Sequence, residues 1–189
     1  MKNISTSEHG LLESIRIRFN DGERINFLHF WGHQPPRDGS ISQSCFSQWY
    51  EAKFALDGIV YPTAEHYMMA EKALLFEDVE TREKILTASN PGAAKAFGRE
   101  VRGFQDDKWL SNRYEIVCRA NRAKFGQNDT LGEFLLRTCS KVLVEASPTD
   151  RIWGIGLAAT DPNANNPNNW KGLNLLGFAL MEIRDELRK

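Results

Sequence analysis

The chain is predicted to be mainly α (α+β), a single compact helical domain with a few short β-strands near its N-terminal half. Helix-capping residues recur at helical spacing between Pro62 and Ser140. Strand-like apolar runs are short and fall mostly before that stretch. The composition, 41% apolar and 26% charged over 189 residues, suits one globule with enough length to bury a core.

Residues 1–25 read as an N-terminal extension, and residues 26–189 as the domain proper. The extension holds one candidate strand, Ile15–Phe19, closed by an Asn20-Asp21-Gly22 turn. Phe27–Trp31 is a second apolar run. Gly32–Ser44 holds Pro35, Pro36, Gly39 and several serines, the composition of a loop. Phe46–Leu56 reads as extended, with Asp57-Gly58 as the turn into Ile59–Tyr61. The period then becomes helical. Pro62 suits the first position of a helix over Thr63–Phe76. Asp78 caps a helix to about Ala88, and Asn90-Pro91 opens another to about Val101. Asp106 caps a long helix from Asp107 to about Phe125, and Asp129 caps one to about Ser140. Lys141–Glu145 is a strand. Ser147–Trp170 is an irregular loop rich in Pro, Asn, Asp and Gly, and a final helix runs from about Leu173 with basic residues in its last turn. A loop that long inside a compact domain is usually functional, and Trp153 and Trp170 within it favour order.

Net charge is −1, from 24 basic and 25 acidic side chains. That argues against sequence-independent duplex binding and leaves room for a pocket that takes one phosphate or nucleotide. Cys45, Cys118 and Cys139 are odd in number, far apart and without a CxxC pair, so neither a disulfide framework nor a zinc site is expected. The opening residues lack the apolar core of a signal peptide, and no apolar run is long enough to span a bilayer. A cytoplasmic protein without membrane partners is the expectation. His29 and His33 have metal-like spacing, yet Gly32 and the following prolines break any helix there and no third ligand follows. No metal and no cofactor are expected.

The helix over Thr63–Phe76 carries the chemistry. Glu65 and Lys72 are seven residues apart and fall about 20° from each other on a helical wheel. Met68, Met69, Leu75 and Phe76 flank them, and much of the remaining surface is apolar as well. Buried charges are costly unless paired or used. Two readings stand: a structural ion-pair network, or a pocket floor whose acid and amine are tuned by burial. His66 points elsewhere on the wheel and reads as structural or supporting. In the Ser147–Arg151 turn, Asp150 and Arg151 either end a strand or rim a site. Gly154 and Gly156 there allow close backbone approach to a ligand. Gly154-Ile155-Gly156 is too short for a dinucleotide fingerprint. Trp49, Trp109, Trp153 and Trp170 are stacking candidates whose ordinary fate is core packing. Trp109 shares a helical face with Arg113, Ile116, Ala120 and Lys124, which either lines a phosphate-bearing pocket or is a solvated face.

Several segments together carry a family resemblance. They are Phe46-Ser47-Gln48-Trp49, the run from Tyr61 to Ala73 (YPTAEHYMMAEKA), Ala120–Phe125 (ANRAKF), Leu143–Gly156 (LVEASPTDRIWGIG) and Asn169–Gly177 (NWKGLNLLG). In this order, over roughly Phe27 to Arg184, the sequence resembles the NADAR (YbiA-like) family. The resemblance implies a mainly helical domain with a small β element, and N-glycosidase activity in one of two forms. One form hydrolyses ribosylamino-pyrimidine phosphates, early riboflavin-biosynthesis intermediates. The other removes ADP-ribose from guanine bases. By matching positions, it implies catalytic Glu65, Lys72, Asp150 and Trp109, with Ser47, Trp49, Asn121 and Trp153 nearby. Arg151 and Gly154 join the substrate-binding set from the turn described above.

Cleaving a ribosyl–nitrogen bond builds positive charge at the anomeric carbon and negative charge on the leaving nitrogen. A carboxylate, Glu65 or Asp150, answers the first or activates water; Lys72 answers the second or holds a phosphate; Trp109 or Trp49 stacks on the base. A desolvated Lys72 attacking a ring-opened imine is the alternative route. The expected partner is a small phosphoribosyl or ADP-ribosyl substrate, with ADP-ribosylated guanine in nucleic acid as the other possibility. A module that binds ADP-ribose or a nucleotide without turnover is the contrasting class.

Overall fold

The structure, a computed structural model, describes residues 8–189. The chain divides into two compact units. One holds the described residues up to Trp31 together with Arg137–Glu182; the other holds Gly32–Leu136 and Ile183–Lys189.

In the first unit, α1 (Glu8–Asn20) stands where a strand over Ile15–Phe19 was expected. Leu12 and Ile15, three apart, are buried on one side of it. The expected turn is this helix's end. Gly22 is left-handed at φ +80°, Gly22 N–H donates to Phe19 and Glu23 N–H to Arg18, the paired bonds of a Schellman cap. An alternating apolar pattern over a few residues does not separate strand from helix; the cap glycine does. β1 (Phe27–Phe30) pairs in parallel with β4 (Val142–Glu145), Phe27 opposite Val142 and Phe30 opposite Glu145. Val142, Leu143 and Val144 are all buried, as expected of a parallel strand covered on both faces.

The long loop after β4 is held by backbone bonds: Lys171 N–H to Ile155, Leu173 N–H to Arg151 and Asn174 N–H to Gly154. Asn174 adds side-chain bonds to Glu145 N–H and the Leu143 carbonyl, both 2.9 Å. A Cβ on Gly172 would collide with the Gly154 carbonyl, and one on Gly177 with the Leu143 carbonyl. α8 (Leu175–Glu186) follows.

The second unit opens with a 3-10 turn at Gln43–Phe46, at the end of the stretch the sequence marks as a loop. β2 (Phe54–Leu56) and β3 (Ile59–Tyr61) form an antiparallel hairpin. Its two-residue turn, Asp57 at φ 51° and Gly58 at φ 78°, is the type I′ geometry that Asp-Gly favours. α2 (Ala64–Leu75) is capped by Thr63, whose hydroxyl accepts the His66 N–H. Pro62 therefore lies two residues before the helix, not at its first position. α3 (Val79–Leu86) and α4 (Pro91–Arg99) carry the expected caps, Asp78 and Asn90. α4 crosses close to α2, because a Cβ on Gly98 would collide with the Met69 sulfur.

The long helix expected from Asp107 to Phe125 is two: α5 (Asp106–Leu110) and α6 (Arg113–Gly126). The break at Ser111-Asn112 is made by side chains that compete with the helix ladder. Ser111 Oγ donates to the Asp107 carbonyl at 2.8 Å and Asn112 Nδ2 to the Lys108 carbonyl at 2.7 Å. Asp106 and Asp129 lie inside the first turns of α5 and α7 (Asp129–Leu136) and do not cap them. Among the described residues no helix is long and apolar enough to cross a membrane.

Candidate active site

In the second unit, Glu65, Met68 and Lys72 are spaced three and four apart on α2, neighbours on one helix face. Glu65 is buried, with 4% of its surface exposed, and its backbone N–H donates to the Gln48 carbonyl at 3.0 Å. Lys72 is half-buried. Its Nζ donates to the Gly98 carbonyl at 2.7 Å and lies 4.5 Å from the centre of the Phe104 ring and 5.7 Å from that of Trp109. Burial holds the amine below the ordinary lysine value. The carbonyl and the two ring faces act the other way, favouring the ammonium.

At the Met68 end of the same face lies a polar group. Gln48 Nε2 donates to the Met68 sulfur at 3.8 Å. Asn121 Nδ2 donates to Gln48 Oε1 at 3.0 Å and to the Val117 carbonyl at 2.9 Å. Asn121 is fully buried and its Oδ1 has no partner among the described residues. A buried acceptor left open is costly, and such groups concentrate where a ligand or water donates. Lys124 braces the turn that precedes Gln48. It is wholly buried, not part of a solvated face, and its Nζ donates to the Cys45 and Ser47 carbonyls at 2.7 and 2.9 Å. Desolvation pushes its amine down to about 7. Ser47 serves the same turn through its hydroxyl, which accepts the Trp49 N–H at 3.1 Å.

Trp49 lies in a different part of this unit. It lines a cleft of about 840 Å³ at the start of α2 with Thr63, His66, Asn90 and His33. His33 stacks obliquely on Trp49 at 5.5 Å and Lys95 Nζ lies 5.8 Å from its ring. His66 is a strut. Thr63 Oγ1 donates to its Nδ1 at 2.8 Å, and its Nε2–H donates to the Ala88 carbonyl at 3.2 Å. That tautomer is neutral, and burial lowers the ring's pKa further.

In the first unit, Asp150 Oδ1 accepts the N–H groups of Ile152 and Trp153, both at 2.8 Å, which fixes the carboxylate's orientation at the end of the β4 turn. Arg151 is exposed and Trp153 half-buried. Gly154 is crowded by protein on the side where a Cβ would stand. A Cβ there would meet the Glu145 carbonyl at 2.8 Å and the Asp150 carbonyl at 3.1 Å, so the residue is small to let protein pack on protein.

The second unit thus joins Lys72 to Trp109, and Asn121 to the Ser47–Gln48 turn, through one face of α2. It does not bring Trp49 to Lys72. The face expected to run from Trp109 through Arg113 and Ile116 to Lys124 is cut by the break between α5 and α6. Gln48, Phe104 and the Gly98 carbonyl were not nominated from the sequence. Gln48 sits inside a quoted motif. Phe104, an aromatic after Gly103 in a polar inter-helix stretch, is the one signal that reading overlooked; backbone carbonyls leave none.

A family model for the NADAR domain matches residues 29–188. The chain is 47% identical over 146 residues to N-glycosidase R617 of Acanthamoeba polyphaga mimivirus, covering 75% of this chain and 86% of that protein. It is 35% identical over 142 residues to N-glycosidase YbiA of Escherichia coli, covering 75% of this chain and 80% of that one. The solved NMR structure of E. coli YbiA superposes with a TM-score of 0.70 at 31% identity, covering 87% of this chain and 86% of that one. Riboflavin biosynthesis protein VVA0006 of Vibrio vulnificus is 33% identical over 143 residues, 76% of this chain but only 35% of that longer protein. The motifs, the helical fold and these matches agree: the chain belongs to the NADAR domain family.

Proposed function

We propose that the chain is an N-glycosidase that hydrolyses the ribosyl–nitrogen bond of ribosylamino-pyrimidine phosphates, releasing ribose 5-phosphate and the free aminopyrimidine. The domain responsible spans residues 26–189, with residues 1–25 as an extension. The observation that carries the reading is the α2 face. A buried carboxylate and a lysine share it, and the lysine is held between a carbonyl and two aromatic rings. Relatives named as N-glycosidases, and one named for riboflavin biosynthesis, support it.

In this reaction water attacks the anomeric carbon and the carbon–nitrogen bond breaks, its electron pair passing to nitrogen, which takes up a proton. Glu65 removes a proton from the water. Asp150, whose carboxylate is held by the Ile152 and Trp153 N–H groups, is the other carboxylate candidate for answering positive charge. Lys72 acts as a cation that holds the leaving nitrogen or the phosphate. Its carbonyl and π contacts favour the charged amine, the opposite of what an imine-forming nucleophile needs. Trp109 stacks on the base, with Asn121 and the Ser47–Gln48 turn at its polar edge. Three free cysteines among the described residues fit a cytoplasmic setting.

Purified protein assayed side by side on a ribosylaminopyrimidine 5′-phosphate and on ADP-ribosylated guanine nucleoside tests the substrate. The reading expects base release from the first. Release from the second alone makes the chain an ADP-ribosyl glycohydrolase, and tight ADP-ribose binding with neither release makes it a binding module. Borohydride during turnover is expected to trap no adduct on Lys72.

A further inference from the structure

Phe104 is 41% exposed, yet it is not on a loose loop. After α4 the chain buries Val101 and then fastens Arg102 to Asp78 by three bonds. Arg102 N–H donates to Asp78 Oδ2 at 2.9 Å, Nε to the same oxygen at 3.2 Å, and Nη2 to Oδ1 at 2.6 Å. The same carboxylate caps α3 by accepting the Thr81 N–H at 3.2 Å. Gly103, left-handed at φ +69°, then turns the chain so that Phe104 comes back over Lys72 while Arg102 points to Asp78. The ring leans on Phe76 at 5.2 Å and lies 4.5 Å from the Lys72 ammonium, nearer than Trp109. A pinned segment that leaves much of an aromatic ring in water, against a cation, is an unusual use of an apolar side chain unless something else covers the ring.

We propose that Phe104 is a substrate-positioning residue of the Lys72 site, held in place by the Asp78–Arg102 clamp. Its ring keeps the ammonium against the Gly98 carbonyl and offers its exposed part to the planar leaving base, alongside Trp109. The proposal rests on the reading of the Lys72 face as the glycosidic site. It adds that this site selects a flat aromatic leaving group and grips it independently of the sugar phosphate.

The test is steady-state turnover of the ribosylaminopyrimidine phosphate, with product inhibition, in full-length wild type, Phe104→Leu, Phe104→Tyr and Arg102→Ala. Phe104→Leu is expected to raise KM roughly tenfold, the size of one base–aromatic stack, and to weaken inhibition by the free aminopyrimidine equally. Inhibition by ribose 5-phosphate stays unchanged. Phe104→Tyr restores both constants. Arg102→Ala, which keeps the ring and frees its segment, shifts KM and the aminopyrimidine constant the same way, and decides the matter should Phe104→Leu fail to fold. Unchanged KM in an active Phe104→Leu protein overturns the proposal, as does equal weakening of both products. Absence of turnover in wild type refutes the underlying reading instead.

Discussion

Replacing Lys72 by Met keeps the aliphatic stem and removes the ammonium. In the resting protein this deletes one charge-assisted bond, 2.7 Å to the Gly98 carbonyl, worth about 1.5–3 kcal/mol. It also deletes two cation–π contacts at 4.5 and 5.7 Å, about 0.5–1 kcal/mol each at half-exposed sites. Against this, the variant no longer desolvates a charge, and a thioether suits the neighbouring rings. The terms oppose, so the net change in stability is about 1 kcal/mol, a melting shift of roughly 2–4 °C for a chain of this size. Catalysis has no such offset. A cation facing charge that develops on the leaving nitrogen is comparable to a fixed oxyanion donor, about 2.7–4 kcal/mol, or roughly a hundred- to a thousandfold in kcat. Thermal melts and base release measured on the same preparation separate the two. A folded Lys72→Met protein with turnover within about threefold of wild type refutes the assignment, and a melting point lowered by much more than the expected few degrees makes Lys72 a structural residue.

Other parts of the molecule give independent checks. Gly98→Ala forces a methyl onto the Met69 sulfur where α4 crosses α2; because a methionine end can give way, the cost is about 1 kcal/mol, at the low end of overpacking, read as a lower urea midpoint. Lys124 titrates at about 7 when folded and at roughly 10.4 when unfolded. Between those values the unfolded chain binds more protons, so stability rises with pH across that window and levels off above it; urea midpoints of Lys124→Met should lose this slope. Asp78 lies well below the carboxylate range because Arg102 donates to it, so its stabilisation is present above the unfolded carboxylate value and is lost as pH falls further. Asp78→Ala should lower the midpoint at neutral pH and differ least from wild type in strong acid.

Much of the second unit was legible because local chemistry and fold agree there. Asp78 and Asn90 each supply the expected cap, and Asp57-Gly58 can hardly be other than a tight hairpin turn. The α2 face followed from spacing alone, and burial of Glu65 matches it. Failures came where side chains compete with the backbone or where long-range contacts decide. Ser111 and Asn112 break a helix by bonding backward to carbonyls, and Ile15–Phe19 is helical despite its strand-like residues. The full burial of Lys124 was illegible because nothing in its own helix foretells two carbonyls arriving from residues 45 and 47. The crowding around Gly154 was illegible for the same reason: the neighbours that cause it lie several residues away in sequence.

The most direct measurement compares free aminopyrimidine released from a ribosylaminopyrimidine 5′-phosphate by wild type and by Glu65→Gln, each confirmed folded. The account predicts stoichiometric base and ribose 5-phosphate from wild type, with the Gln variant slower by at least about a hundredfold. Equal rates from the two proteins would contradict the account, because the buried carboxylate on the Lys72 face would then take no part in the chemistry.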